Sequence, residues 1–530
     1  MALRLRNTLS RRVEEIAAIP PGEGGQPKRI RIYTCGPTVY RYAHIGNLRS
    51  FLMADLVRRA LLYHGFDVFH IKNITDVGHM RDDQRDAGGD RILVQAELDG
   101  KTPAQIADHY EAALHADESA VNILPAHRFP RATEHIGQMV DLAERLVDKG
   151  LAYEAADGTI YFEVGRFPGY GQLSRNSLDE LRAGHRVEVE DAKRDPADFA
   201  LWKRAEPGRL VSWPTARWGD GFPGWHLECS AMSMAYLGDE FELHTGGVDN
   251  IFPHHEDEIA QSAGVTGKIP ARHWLHGAHL LTSGQKMAKS AGNVTRVTEL
   301  AAHGIDPLAF RYLMLTSRYR HKLDYSDASI KGAAAALDSL RGRLHALGPA
   351  PSGGPWAAPT ALVARPAGDR PDGEVLHAAG HGSADAAPFP RADRADDAVA
   401  PLSAAGRALH DRFVAAVDDD LDLPVALATV RDVLRSDVPD DEKRWLVLDA
   451  DMILGLDLHR AWENAAATDR ADLPAGAETL LSGRVAARAA GDYASADALR
   501  ARLLALGIEP IDRAGGEPAW RSVTSDARSG

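Results

Sequence analysis

Cysteine is nearly missing from this chain: Cys35 and Cys229 are the two among 530 residues. A secreted scaffold stapled by disulfides carries more of them, closer together, so that class is excluded. Two thiols roughly 190 residues apart leave burial, reactivity or metal binding as their uses. No run of about 18 apolar residues occurs, which excludes a membrane-spanning helix. A basic surplus is also lacking, since the formal net charge is −14. A general cloak for nucleic acid would be basic. A local basic face is enough for RNA, so the sign leaves RNA binding open. Met1 to Pro20 holds Arg4, Arg6, Arg11 and Arg12 but no apolar core of a secretory leader. Glu14 and Glu15 argue against a transit peptide. The reading is a cytoplasmic protein with no membrane partner.

What is present is ordinary for a large globular protein: 44% apolar and 26% charged residues. The length argues for several domains. Arg29-Ile-Arg-Ile-Tyr-Thr34 alternates and predicts a strand. A glycine turn through Ala43-His-Ile-Gly-Asn47 follows, then helical periodicity over Leu48 to Tyr63 and a second strand over Asp67 to Ile71. Strand, turn, helix, strand is the unit of a parallel nucleotide-binding sheet. Residues 90 to 150 read as helical, and 151 to 215 as short strands and loops inserted between two halves of that sheet. The alternation resumes with a helix over Trp225 to Leu237, a strand over Phe241 to His244, a helix over His254 to Ser262 and a strand over His273 to Leu281.

The fold class is therefore α/β. A Rossmann-like parallel-sheet domain covers 1–305, with an inserted α/β segment over about 90–215. A helical domain begins over 306–347. Residues 348–400, rich in Gly, Pro, Ala and Asp, read as a disordered insertion or linker. A helical bundle follows over 401–470, with helical periodicity over Ala404 to Leu434. A small C-terminal domain covers 471–530, helical over Thr479 to Leu506 and turn-rich over Ile508 to Trp520.

Several residues carry chemistry. His254 and Glu258 stand four apart, one turn on a helix face, where they either share a metal or line a solvated acidic surface. The order rules out the His-Glu-x-x-His of metalloproteases, because no His lies at 258 or 259. Cys35 follows the first strand and Cys229 sits early in the Trp225 helix. Both can project above the carboxyl edge of one sheet, where open α/β folds bind ligands. Two thiolates, an imidazole and a carboxylate form an acceptable Zn²⁺ set. His44 and Asn47 flank a helix start whose amides can bind an anion, with Gly46 permitting close approach. Lys286-Met-Ala-Lys-Ser290 places two lysines where they either neutralise a reacting phosphate or are simply solvated.

The pairing of the His44 turn with the Lys286–Ser290 segment resembles the two signatures of class I aminoacyl-tRNA synthetases. The resemblance is closest to the cysteinyl-tRNA synthetase family. It is carried by Thr34-Cys-Gly-Pro-Thr-Val-Tyr40, Asn73-Ile-Thr-Asp76, Gly224-Trp-His-Leu-Glu-Cys-Ser-Ala-Met232 and His244-Thr-Gly-Gly-Val-Asp249. Phe252-Pro-His-His-Glu-Asp-Glu-Ile-Ala-Gln-Ser262 adds to it. It runs over about 5–345 and 404–521. It implies a Rossmann-like catalytic domain, a helical bundle and a C-terminal anticodon-binding domain.

The resemblance implies that Cys35, Cys229, His254 and Glu258 hold one Zn²⁺ per chain, which takes the thiolate of substrate L-cysteine. A closed set of four leaves no room, so Glu258 would loosen or the ion would become five-coordinate on substrate binding. It implies Trp225 and His244 near the amino-acid side chain, and Gly46, Asn47, Asp249 and Lys289 around ATP. His44, Lys286 and Lys289 would stabilise the transferring phosphate, with Mg²⁺ carried by ATP, before cysteine passes to tRNA(Cys). Val417 to Leu427 resembles the family's helical domain, and Ala490 to Arg500 with Gly507 to Asp512 its anticodon-reading end. Trp520 and Arg521 would stack on and bond an unstacked base. The reading is a monomer.

Four features depart from the family pattern: Val77-Gly-His-Met80, Ala288 in the lysine segment, the 348–400 insertion, and Gly516-Glu-Pro-Ala-Trp520. Three rivals stand beside the reading. One is a ligase joining cysteine to an amino sugar, which lacks an anticodon-binding end. Another is an inactive RNA-binding or regulatory paralogue. The third is a specialised, inhibitor-resistant duplicate.

Overall fold

The computed structural model describes residues 2–20, 29–77, 91–177, 192–282, 284–286, 295–349, 402–462, 474, 476–490, 492–506, 508–511 and 519–522. Four parallel strands form the central sheet, in the order Ala271–Gly277, Phe241–Gly247, Arg29–Thr34, Asp67–Lys72. Parallel strands covered on both faces read as nearly continuous buried runs. Phe241 to Gly246 is buried throughout, including Glu242, His244 and Thr245. Glu242 has partners for its charge: Oε2 accepts from the Arg31 amide at 2.8 Å and from Arg31 Nε at 3.0 Å. Oε1 accepts from the Ile19 amide at 2.9 Å.

The crossover helix after the first of these strands spans Ile45–Tyr63. It starts three residues before the expected Leu48. His44 and Asn47 close a reciprocal cap there, a signal that hydrophobic periodicity does not carry. Helices Arg91–Asp99, Pro103–Ala120 and Ile136–Asp148 follow. A five-stranded antiparallel sheet then runs from Ala152 to Pro223, with Phe162 stacked on Phe199 at 5.0 Å.

The helix Trp225–Leu237 has the expected bounds. The next helix, Glu256–Thr266, starts two residues after the expected His254. A single π-type turn, Ile251–His255, precedes it, with Phe252 extended. Pro253 has no amide to donate, so the regular ladder begins only beyond it. The expected strand His273 to Leu281 is two strands, Ala271–Gly277 and Leu280–Thr282. Between them the Ala278 amide bonds to Tyr319 O at 2.9 Å. The second piece leaves the central sheet to pair with Leu323–Tyr325 and with the two-residue strand Gln285–Lys286.

Helices Ala404–Asp418, Leu423–Arg435 and Asp440–Leu454 form a bundle around Phe413, Leu427, Val430, Leu446 and Ile453. The C-terminal end of the Ile45–Tyr63 helix docks on it. Tyr63 OH donates to Asp449 at 2.7 Å, and His64 Nε2 lies 2.6 Å from Asp418 Oδ1. Deeper in, Arg311 is fully buried and bridges three elements. It donates to Leu454 O at 2.5 Å, to Asn122 O at 2.8 Å and to Asp55 Oδ2 at 2.7 Å.

Residues 1–340 and 351–457 make one compact unit, and 341–350 with 458–530 make a second. In the second, helices Ala477–Ala489 and Tyr493–Ala505 enclose a small core of Ala477, Leu481, Leu503 and Ile508. Ile508–Ile511 pairs antiparallel with Ala519–Ser522. The sequence suggests only a turn-rich piece there, because a hairpin's partner strand leaves no mark on local periodicity. Among the described residues no helix is long and apolar enough to cross a membrane.

Candidate metal and nucleotide site

The site begins at the carboxyl end of the Arg29–Thr34 strand. Gly36 there lies against Asn73, and a Cβ at Gly36 would stand 1.6 Å from Asn73 O, so the position accepts no side chain. That close approach seats Cys35, whose amide bonds to Thr245 O at 3.2 Å. Cys229 enters from the second turn of the Trp225 helix. Its Sγ lies 3.7 Å from Asn73 Oδ1, which also accepts from the Gly36 amide at 2.8 Å. His254 comes from the π-type turn and Glu258 from the helix behind it.

These four side chains meet. Their ligand atoms all lie within 4.8 Å of one another and all four are buried. Cys35 Sγ is 3.9 Å from Cys229 Sγ and 3.6 Å from Glu258 Oε1, and His254 Nε2 is 3.1 Å from the same oxygen. A tetrahedron built on Zn–S of about 2.3 Å and Zn–N/O of about 2.0–2.2 Å has edges of about 3.8 Å for S–S and about 3.4 Å for N–O. The donor set thus fits a zinc-sized ion in both chemistry and spacing.

A second set, Cys35, His244, His255 and Glu258, overlaps the first. The first keeps both thiols, the stronger donors for a soft or borderline cation. In that arrangement the remaining imidazoles support the ligands. His244 Nε2 lies 2.9 Å from Glu258 Oε2, and His226 Nδ1 lies 2.9 Å from His254 Nδ1, leaving His254 Nε2 toward the cluster. His226 Nε2 faces Asp257 Oδ2 at 3.4 Å. His255 Nε2 is 3.2 Å from Cys35 Sγ, and its Nδ1 is 2.8 Å from His276 Nε2. His276 Nδ1 is in turn 2.8 Å from Thr8 Oγ1.

Burial, with His244 beside it, pushes His276 down to about 3. Burial and the surrounding imidazoles hold His255 well below its ordinary range too. Both shifts favour the neutral ring, which keeps one nitrogen free to accept a hydrogen bond. Burial likewise pushes the Cys35 thiol well up, with Cys229 and Glu258 adding to it, and raises Cys229. Nearby divalent charge reverses that preference, because it favours thiolate.

At the start of the Ile45–Tyr63 helix, the Asn47 amide donates to His44 Nδ1 at 3.3 Å and the His44 amide to Asn47 Oδ1 at 3.2 Å. Gly46 lies in the first turn of that helix. Asp249 lies in the turn Val248–Asn250, its carboxylate 3.4 Å from His279 Nε2. Trp225 is 39% exposed at the rim, its ring centroid 4.6 Å from that of His254. Lys286 pairs through its backbone with Leu281. Lys289 and Ala288 lie outside the described residues, as do His79 and Met80, residues 351–400 of the insertion, and Gly516 to Pro518.

Sequence reasoning missed His226, His255, His276, Asp257 and Thr8. The His254–His255 doublet and the Trp225–His226 pair were visible signals. Nothing in their spacing pairs rings across separate elements.

Residues 23–335 match the family model described as "tRNA synthetases class I (C) catalytic domain". Residues 470–513 match "Cysteinyl-tRNA ligase anticodon binding domain". The fold is also that of a methionyl-tRNA synthetase from Mycobacterium tuberculosis, solved with methionyl-adenylate. The TM-score is 0.50 at 14% identity, covering 86% of this chain and 94% of that one. Fold and catalytic domain are those of a class I aminoacyl-tRNA synthetase. A cysteine--tRNA ligase of Thermus thermophilus is 39% identical, over 98% of this chain and 99% of that protein. One from Chromohalobacter salexigens is 37% identical, over 96% of each. The chain belongs to the cysteine--tRNA ligase family.

The contact of His244 with Glu258 has a measurable weight. Supports of this kind tune metal affinity by about 10–100-fold. His244→Asn is expected to lower affinity for added Zn²⁺ by about that factor, read by competition with a chelator, with the fold retained. An unchanged affinity would remove His244 from the metal's support.

Proposed function

We propose that the chain activates L-cysteine with ATP and transfers it to tRNA(Cys), with one zinc ion held by Cys35, Cys229, His254 and Glu258. The observation that carries this reading is the meeting of those four buried donors, with the capped His44 turn opening the helix that follows the Cys35 strand. Zinc there supplies a soft cation that takes a thiolate far better than a neutral hydroxyl, which separates cysteine from serine. Pocket shape alone separates such near-isosteres by only about 10²-fold in unfavourable cases.

The chain's residues do the rest. Trp225 and His244 border the side-chain end of the substrate. The Ile45–Tyr63 helix presents its first-turn amides, with Gly46 and Asn47, to the triphosphate. Asp249 and Lys289 complete the ATP contacts. A carboxylate oxygen of cysteine attacks the α-phosphorus and pyrophosphate leaves; Mg²⁺ carried by ATP would help to neutralise the phosphate charge. His44, Lys286 and Lys289 stabilise the charge that builds on the transferring phosphate. A hydroxyl of the terminal ribose then attacks the acyl carbon, and AMP leaves.

In this reading residues 1–305 are the catalytic domain, with the insertion over about 90–215. Residues 401–470 are the bundle, continuing the helical region begun over 306–347, and 471–530 read the anticodon. The protein acts as a cytoplasmic monomer. The match over 470–513 weighs against the amino-sugar ligase, which has no such end.

The test is cysteine-dependent ATP–pyrophosphate exchange by the zinc-loaded full chain, followed by charging of tRNA. Exchange and charging with cysteine, and not with serine, are expected. A silent exchange reaction would favour the inactive paralogue. Exchange with ligation to an amino sugar instead of tRNA would favour the other rival.

A further inference from the structure

The described chain is held by one helix both before the Lys286 strand, at His279, and after it, at Thr295. Arg49, one turn into Ile45–Tyr63 and 6% exposed, sends one arm of its guanidinium to His279 O at 2.5 Å and the other to His321 O. His279 immediately precedes Leu280–Thr282, whose antiparallel partner is Gln285–Lys286. His321 precedes Leu323–Tyr325, the parallel partner on the other side. The fork therefore grips the leads into two paired strands. At the return, the Ile45 amide donates to Thr295 O at 3.0 Å. Arg296 lies over the Tyr42 ring at 3.5 Å, and Tyr42 OH is held by His109 Nε2 at 3.0 Å.

We infer that Arg49, seconded by the Arg296–Tyr42 stack, is a positioning residue that fixes the Lys286 strand relative to the His44 turn. The inference rests on the nucleotide roles proposed for His44 and Lys286. Neither Arg49 nor Arg296 touches the reacting atoms. Each sets the separation between two groups that must meet one phosphate. A guanidinium bridges two carbonyls in fixed geometry, whereas an ammonium is a single point on a flexible stem. Arg49 is well placed to act on ATP chemistry alone. The cysteine side is built from other elements: the end of the Arg29–Thr34 strand, the Phe241–Gly247 strand, the π-type turn Ile251–His255, the Trp225 helix and the Glu256 helix.

The test compares the full, zinc-loaded chain with Arg49→Lys, Arg49→Met and Arg296→Met in cysteine-dependent exchange, reading kcat and each KM with metal content. A displacement of about 1 Å costs about 10²-fold in rate. The kcat of Arg49→Met is expected to fall by about that factor, and those of Arg49→Lys and Arg296→Met by about tenfold. The KM for cysteine and the zinc content are expected to stay within about twofold of the parent chain, a split that general loosening would not produce. Should Arg49→Met fail to fold, the other two variants carry the test. Unchanged kcat in the folded variants overturns the inference, and so does a KM for cysteine that climbs as kcat falls. A parent chain without exchange overturns the functional reading, and this inference with it; normal exchange beside unaffected variants overturns the inference alone.

Discussion

Cys35→Ser and Cys229→Ser are each expected to bring the metal content from about one zinc per chain to near zero, and cysteine-dependent exchange down by more than about 10²-fold. The reason lies in the donors. Serine differs from cysteine by one atom, so packing around the buried position barely changes. A hydroxyl does not ionise near neutral pH, however, and a neutral oxygen is a poor partner for a borderline-soft ion. The two variants should be equivalent, because Cys35 and Cys229 approach from separate elements and each supplies one thiolate. Metal analysis of the purified variants, paired with exchange assays, decides the matter. Full zinc in either variant would remove that cysteine from the ligand set. Full zinc in Cys229→Ser would turn attention to the overlapping set of Cys35, His244, His255 and Glu258, whereas full zinc in Cys35→Ser would exclude both sets.

Arg311→Met is expected to destabilise the first unit by about 3–5 kcal/mol, the usual cost of removing one member of a buried ion pair. Arg311 and Asp55 are both fully buried at their side chains, 2.7 Å apart. Burial pushes the Asp55 carboxyl up, but Arg59, Arg311 and the Leu124 amide outweigh it and hold Asp55 below its usual range. Methionine fills much of the volume but leaves Leu454 O and Val121 O without the donor that Arg311 brings. The backbone at Gly455 also packs closely on Arg311. Gly455 has a φ of 64°, and a Cβ there would stand 2.6 Å from Arg311 Nη2. Denaturant unfolding followed by tryptophan fluorescence reads the effect. A midpoint equal to that of the parent chain would mean that the network contributes little to holding the bundle on the catalytic fold.

The fold was legible where period and chemistry coincide. The Trp225 helix shows both ends because Gly224 and Gly238 bracket an apolar run. The Arg29–Thr34 strand shows in its alternation. Cooperation between distant segments was not legible. Leu281 continues the apolar pattern of the strand before it, yet the chain changes sheets at Ala278, where Tyr319 and Arg49 hold the backbone. The same holds for the site. The four donors were readable as residue types and through family resemblance. The imidazoles behind them were not, since a hydrogen bond between His226 and His254 or between His255 and His276 depends on how two elements pack.

The whole thiol complement of the chain lies in one buried cluster. A sulfhydryl reagent therefore has a single destination in this molecule. Any colour it develops in the folded protein counts openings of that one place, free of background from surface cysteines. The protein carries its own gauge of access to that buried cluster, readable without an attached label.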